Sequence, residues 1–207
     1  MNCAIIRSFT GLMAVLLLAA CGQQPKRLPI LGTPDISGKD TIYPAVAAFS
    51  FTNQDGQTVT NQTFAGKIYV ADFIFLSCPT ICPKMTEEMH KVYRAFDGDQ
   101  RVSFISHTID PKHDSIPRLK AYAEKLDVTS ARWHFVTGVQ DSIINMAENS
   151  YFSTAFPDST SPGGFTHSGG LLLVDRNRLI RGVYNGTKPE ETERLVSDIK
   201  TLLKEQF

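Results

Sequence analysis

The sequence predicts an α/β domain, with a central mixed sheet, helices on both of its faces, and β-hairpins near its ends. Three observations carry this reading. Residues 67–76 (KIYVADFIFL) form a nearly continuous apolar run of strand length, the pattern of a central strand buried on both faces. Beyond it, segments with helical spacing of apolar residues alternate with short strand-like segments. Two turn signals, Asn53-Gln54-Asp55-Gly56 and Arg176-Asn177-Arg178, each separate a pair of strand-like runs. Alternation of this kind lays helices across both faces of a sheet.

Each element follows from its own pattern. Residues 43–51 and 57–60 flank the first turn signal and form a hairpin. Residues 83–96 place Met85, Met89, Val92, Tyr93 and Phe96 at helical spacing, directly after the central strand. A strand over 101–109 follows. Then comes a helix over 115–126, with Asp114 as its N-cap and Pro117 in the first turn, where a missing N–H is tolerated. Residues 132–136 read as a short strand and 141–148 as a helix. Residues 156–166 hold Pro157, Pro162, Gly163 and Gly164 and read as a loop. Residues 171–175 and 179–184 form the second hairpin, and 189–204 the closing helix, with Thr187 or Lys188 just before it. No internal repeat is evident.

Composition narrows the function classes. The chain has 207 residues, of which 42% are hydrophobic and 20% charged, so a sizeable core can form. Twenty-one basic residues balance 21 acidic ones, which leaves no electrostatic case for a nucleic-acid partner. Four cysteines are too few for a disulfide scaffold, so each needs its own explanation.

The N-terminus accounts for two of them. Residues 1–20 carry Arg7 and then an apolar stretch of about 12 residues, shorter than the 20 or so that span a bilayer. The stretch ends Leu18-Ala19-Ala20-Cys21-Gly22, which resembles the lipobox of bacterial lipoproteins. That resemblance implies a signal peptide over 1–20 that removes Cys3. It makes Cys21 the lipidated first residue of a mature protein anchored to a bacterial membrane on its periplasmic, extracytoplasmic side. Residues 21–40, broken by Pro25, Pro29 and Pro34, read as a flexible tether, with an arm packed on the domain as the alternative. The domain itself occupies 41–207.

The other two cysteines lie in Cys78-Pro79-Thr80-Ile81-Cys82-Pro83, between the central strand and the helix that follows it. A thiol at a helix N-terminus meets unpaired N–H groups and the positive end of the helix dipole, so both cysteines are expected to ionise readily. Their spacing permits a disulfide or a shared metal ion. An iron–sulfur cluster needs more thiolates, covalent haem needs C-x-x-C-H, and structural zinc needs four ligands. Copper(I) suits two thiolates and an imidazole, and a thiol redox role needs only the pair. His167, between the Gly/Pro-rich loop and a strand, is the favoured third ligand. His107 stands next, ahead of His90, His113 and His134.

At this point the sequence resembles a family. Residues 72–86 (DFIFLSCPTICPKMT) resemble the SCO/SenC family of copper proteins. So do 109–115 (IDPKHDS), Trp133-His134-Phe135-Val136-Thr137-Gly138, and His167-Ser168 before a strand. The resemblance runs from about residue 44 to the C-terminus. It implies a thioredoxin-like fold with an inserted hairpin, copper bound by Cys78, Cys82 and His167, and a role in maturing the copper centre of cytochrome c oxidase. Many relatives carry an acid just before this histidine, where this chain has Thr166, so the contact orienting the imidazole differs. Asp72, six residues before Cys78, resembles the buried aspartate of thioredoxins and is a candidate to exchange protons with a thiol.

Two functions follow from these readings. One is a copper chaperone that serves the copper-bearing subunit of cytochrome c oxidase, with another copper chaperone or a thioredoxin-like reductant upstream. The other is a thiol–disulfide oxidoreductase that keeps a partner's cysteines reduced.

Overall fold

In the computed structural model, residues 27–207 are described. The signal segment 1–20, the lipidation candidate Cys21 and the tether up to residue 26 lie outside the described residues. The strands are β1 (Ser50–Asn53), β2 (Thr58–Thr60), β3 (Ile68–Ile74), β4 (Val102–Thr108), β5 (Trp133–Thr137), β6 (Ala155–Pro157), β7 (Phe165–His167), β8 (Gly170–Val174) and β9 (Ile180–Asn185). The α-helices are α1 (Cys82–Ala95), α2 (Ile116–Lys125), α3 (Gln140–Asn149) and α4 (Pro189–Gln206).

Seven strands form one sheet in the order β2-β1-β5-β4-β3-β8-β9. The apolar run becomes β3, all seven residues of which are buried. β3 pairs in parallel with β4, and β4 with β5, whereas β8 lies antiparallel to β3. Parallel neighbours need crossover helices, which cover the faces and account for the unbroken hydrophobicity of β3. Register sets the two faces. Asp72 sits opposite Ser106, and Phe73 opposite His107 on the other side. On the Asp72 side, Tyr122 of α2 donates to Thr86 of α1 at 3.0 Å, and Tyr184 of β9 donates to Asp198 of α4 at 3.0 Å. On the Phe73 side, Tyr151 packs against Phe73 and His107.

Three local expectations are revised. Residues 156–166 are not all loop, because β6 and β7 pair there antiparallel as a separate two-stranded ribbon. Both of its strands are edges, so Pro157 at a ribbon end is tolerated. Asp114 does not cap α2. Its carboxylate accepts instead from the Leu76 N–H at 3.0 Å and the Thr108 hydroxyl at 2.6 Å, partners that tertiary packing brings to it. The first strand starts only at Ser50; before it, Ala45 bridges to Leu179.

The described part of the segment read as a tether is packed at its start. Leu28 is buried. Arg181 donates to the Leu28 carbonyl at 2.6 Å and the Pro29 carbonyl at 3.0 Å, and it pairs with Asp175 and Glu205 at 2.9 and 2.6 Å. Residues 35–40 of the same segment are exposed. Among the described residues no helix is long and apolar enough to cross a membrane.

Candidate metal centre

The cysteine segment is rooted in the sheet. After β3 the chain turns, with the Cys78 N–H donating to the Phe75 carbonyl at 3.1 Å. Cys82 is the first residue of α1, with Pro83 behind it in a position that needs no N–H partner. The turn is pinned from below. Asp114 holds the Leu76 N–H, and Arg118 pairs with Asp114 at 3.3 Å while donating to the Ser77 hydroxyl at 2.9 Å.

His167 comes from elsewhere in the fold. It is the last residue of β7, on the ribbon that folds over the cysteine turn. Gly163, at φ +85°, lets the ribbon approach closely: a Cβ there would lie 2.6 Å from the Phe75 ring. Phe75 then packs against Phe165 and meets the His167 ring edge-on, with centroids 5.4 and 5.7 Å away. The ribbon's turn is gathered around Asp158, which accepts from Ser161, Thr160 and Thr166 hydroxyls at 2.6, 2.6 and 2.8 Å. Thr166 therefore serves the turn rather than the imidazole. His167 Nδ1 donates to the Ser168 carbonyl at 3.1 Å, since a carbonyl can only accept. This tautomer leaves the Nε2 lone pair free to ligate, and Nε2 lies 3.0 Å from Cys82 Sγ.

One ligand atom from each of Cys78, Cys82 and His167 lies within 4.8 Å of the others, so the trio can hold a metal ion. Two sulfurs and an imidazole form a donor set suited to soft copper(I). Both cysteines are free thiols, and both are buried.

Their ionisation differs. Burial pushes the Cys78 thiol up, but hydrogen bonds from Thr80 and from the Cys82 N–H and thiol outweigh it, and its pKa falls below the ordinary thiol value. Cys82 moves strongly the other way, driven first by burial and then by the neighbouring Cys78 and Asp72 charges. The expectation of two easily ionised thiols thus holds for Cys78 and is corrected for Cys82, where burial overrides the helix terminus. Burial also lowers the pKa of His167, keeping the imidazole neutral.

The other histidines do not join the site. His107 lies in the core between Phe73, Phe51 and Phe49, and burial alone takes its pKa down to about 3. His113 pairs with Asp110 at 2.9 Å, and His134 faces Asn53. His90 stacks on Tyr93. Asp72 is fully buried, and its carboxylate makes no close hydrogen bond. Burial lifts its pKa to about 7, opposed only by a longer contact to Ser106. Sequence reasoning missed the Ser168 carbonyl, the Asp158 cluster and the Asp114–Arg118 clamp. Of these, only the Asp158-to-Ser161 spacing carries a local turn signal.

Residues 39–204 match the SCO1/SenC family model. A SCO1/SenC family lipoprotein from Bacillus anthracis str. Ames superposes with a TM-score of 0.70 at 31% identity, covering 77% of this chain and 95% of its own. BsSco is characterised as a member of the Sco family of cytochrome c oxidase assembly proteins with a disulfide switch. It gives a TM-score of 0.68 at 29% identity, covering 87% of this chain and 98% of its own. ScoI from Bradyrhizobium japonicum, solved with copper bound, gives 0.62 at 25% identity, covering 74% and 98%. The mixed sheet with its four described helices is the thioredoxin-like fold these neighbours share.

Proposed function

This chain belongs to the SCO1/SenC family, and from that premise we propose that it is a membrane-tethered copper-binding chaperone that assists maturation of the copper centre of cytochrome c oxidase. The observation that carries this is the convergence of Cys78, Cys82 and His167 within 4.8 Å. The copper-bound and oxidase-assembly neighbours support it. In the reduced chain Cys78 offers a thiolate, Cys82 gives up its proton as metal binds, and the neutral His167 completes a three-ligand site. A site of so few ligands leaves room for an incoming one, as transfer requires. Passing two electrons to a disulfide of another thiol protein would join the two sulfurs and remove both thiolates, so redox state would control loading. Copper titration of the reduced described domain tests this. One equivalent bound is expected, with affinity collapsing in His167→Ala. A His167→Ala domain that binds copper like the wild type would remove the three-ligand reading.

The second reading is a thiol–disulfide oxidoreductase acting on cysteines of an oxidase subunit or another extracytoplasmic partner. The favourable ionisation of Cys78 and the free pair support it. It needs no imidazole ligand, so His167→Ala should keep thiol exchange. In the first reading the partner is the copper-bearing oxidase subunit, and in both another copper chaperone or a thioredoxin-like reductant acts upstream of this chain.

Two site assignments complete the proposal. Cys21 carries the lipid that holds the protein to a bacterial membrane on the periplasmic side. Labelled palmitate should enter the wild type and not Cys21→Ala, and an unlabelled wild type would end the idea. Asp72 exchanges a proton with the thiol pair. An unchanged thiol exchange rate in Asp72→Asn would exclude that.

A further inference from the structure

The charges of the chain cancel, 21 against 21, but they are not spread evenly. Parallel pairing puts the starts of β3 and β4 at one end of the sheet. There Ile68 faces Val102, and its N–H donates to the Arg101 carbonyl at 2.9 Å. Antiparallel β8 finishes at the same end, with Val174 opposite Tyr69, so the β8–β9 turn over 175–179 lies beside them. Phe207, just past α4, joins these parts: its ring has the Arg101 and Arg176 guanidinium groups 5.4 and 5.3 Å from its centre. The arm enters there too, because the Leu28 N–H donates to Glu205 at 3.2 Å. The metal ligands lie at the other end, since Cys78 follows the finish of β3 and His167 precedes the start of β8.

This far end is basic. Arg27, Arg176, Arg178 and Lys204 are exposed and Lys67 is half-buried, and none of the five makes an ion pair among the described residues. The carboxylates around them are already paired. Asp99 holds Arg101 at 2.7 Å, Asp97 holds Arg132 at 3.3 Å, and Asp175 and Glu205 share Arg181. A carboxylate on Phe207 would offset only one of the five. The Phe207 ring is itself 53% exposed, an apolar surface set between guanidinium groups.

We propose that this basic end of the sheet rests on the anionic headgroups of a phospholipid bilayer, with the Phe207 ring at headgroup level between Arg101 and Arg176. Charge sign and chain length select the occupant. A chain of zero net charge has no long-range pull toward an anionic surface, so its local excess acts only within a Debye length, about 10 Å at 0.1 M salt. Residues 22–27 span at most about 25 Å, so a lipid on Cys21 holds this end, and not the metal end, within reach of headgroups. Tethering makes the contact intramolecular, so a weak attraction suffices. The molecule at rest would then turn its metal ligands away from the bilayer. The choice of occupant rests on the proposed lipidation, whereas the basic end does not.

The test uses the chain from residue 21 onward with Cys21→Ser, which keeps the described core from Leu28 to Leu203 and carries no lipid. Vesicles of phosphatidylcholine with about 30% phosphatidylglycerol should co-sediment it at low salt, and vesicles of phosphatidylcholine alone should not. Salt at about 0.5 M should release it. One basic side chain near an anionic surface is worth about a factor of five in partitioning, so Arg176→Glu with Lys204→Glu should weaken binding by about 25-fold or more. The same charge change at the metal end, at the exposed Lys84→Glu with Lys112→Glu, should leave binding within about two-fold. Equal losses in the two double variants would overturn the proposal, as would a parent chain that ignores anionic vesicles. Retention on immobilised polyglutamate without vesicle binding would also overturn it, by assigning the basic end to an acidic polypeptide. If Arg176→Glu with Lys204→Glu does not fold, Arg27→Glu with Lys67→Glu takes its place. Vesicle binding as expected, with no palmitate entering Cys21 in cells, would sink the anchor and leave the basic face standing. Palmitate at Cys21 with no vesicle preference would do the reverse.

Discussion

The three candidate ligands are held by two regions built in different ways. Cys78 and Cys82 leave a strand buried along its whole length and enter a 14-residue helix packed on the sheet. His167 ends a three-residue strand, half-buried throughout, on a ribbon that belongs to no larger sheet. The thiol half inherits the rigidity of the core. The imidazole half is placed by one glycine contact, a cluster of hydroxyls around Asp158, and one backbone carbonyl. A site divided this way can keep its sulfurs fixed while the third ligand is adjusted at little cost to the fold.

The contrast is open to experiment. The largest effect belongs to the sulfurs: Cys78→Ser or Cys82→Ser should abolish copper binding at one equivalent in a titration, and with it thiol exchange. Next is Gly163→Val, which sets a side chain against the Phe75 ring at a left-handed φ. It should lower copper affinity by about 10- to 100-fold while the thermal midpoint moves little, because the ribbon lies outside the main sheet. An equal collapse of stability would show that the ribbon is not a separate unit. Asp158→Ala should give a smaller loss, about 10-fold, in the same competition assay. It should spare thiol exchange at Cys78.

At neutral pH the smallest effect comes from the rooted side, where His107 is uncharged in both states and its test lies in acid. His107 has an ordinary pKa of 6.5 and a folded value of about 3, so the native state holds it neutral. The folded chain binds fewer protons there than the unfolded chain. Its contribution is full above pH 6.5 and is lost as pH falls from 6.5 toward about 3. Thermal melts across that range should show a gentler decline for His107→Phe than for the wild type. Identical slopes would place the acid sensitivity elsewhere.

How much of this was legible beforehand follows the same division. The rooted half could be read directly, since an unbroken apolar decapeptide over 67–76 admits few structures other than a central strand, and the cysteines follow it in sequence. His167 was favoured among five histidines only by its place between a Gly/Pro-rich loop and a strand, and family resemblance raised it further. The ribbon escaped because Ala155 pairs with His167 across a turn rich in proline and glycine, where local signals favour loop. Cys82 was misjudged because its position at a helix start is written in the sequence, whereas its burial is not. Asp114 was misassigned for a similar reason: its partners, Leu76 and Thr108, are supplied by the assembled sheet.

Arg181 also fixes where the chain enters the fold. β8 begins at Gly170, beside the His167–Ser168 corner, and runs to Val174. The next residue, Asp175, grips the same guanidinium that holds the Leu28 and Pro29 carbonyls. The polypeptide is therefore moored roughly 17 Å along the strand from the ligands, at the far end of the sheet. Residues 22–27 separate Cys21 from Leu28, a reach of about 25 Å at full stretch. Under the proposed lipidation at Cys21, the Leu28 end of the sheet could stand no farther than that from the lipid, and the metal ligands lie at the opposite end of β8.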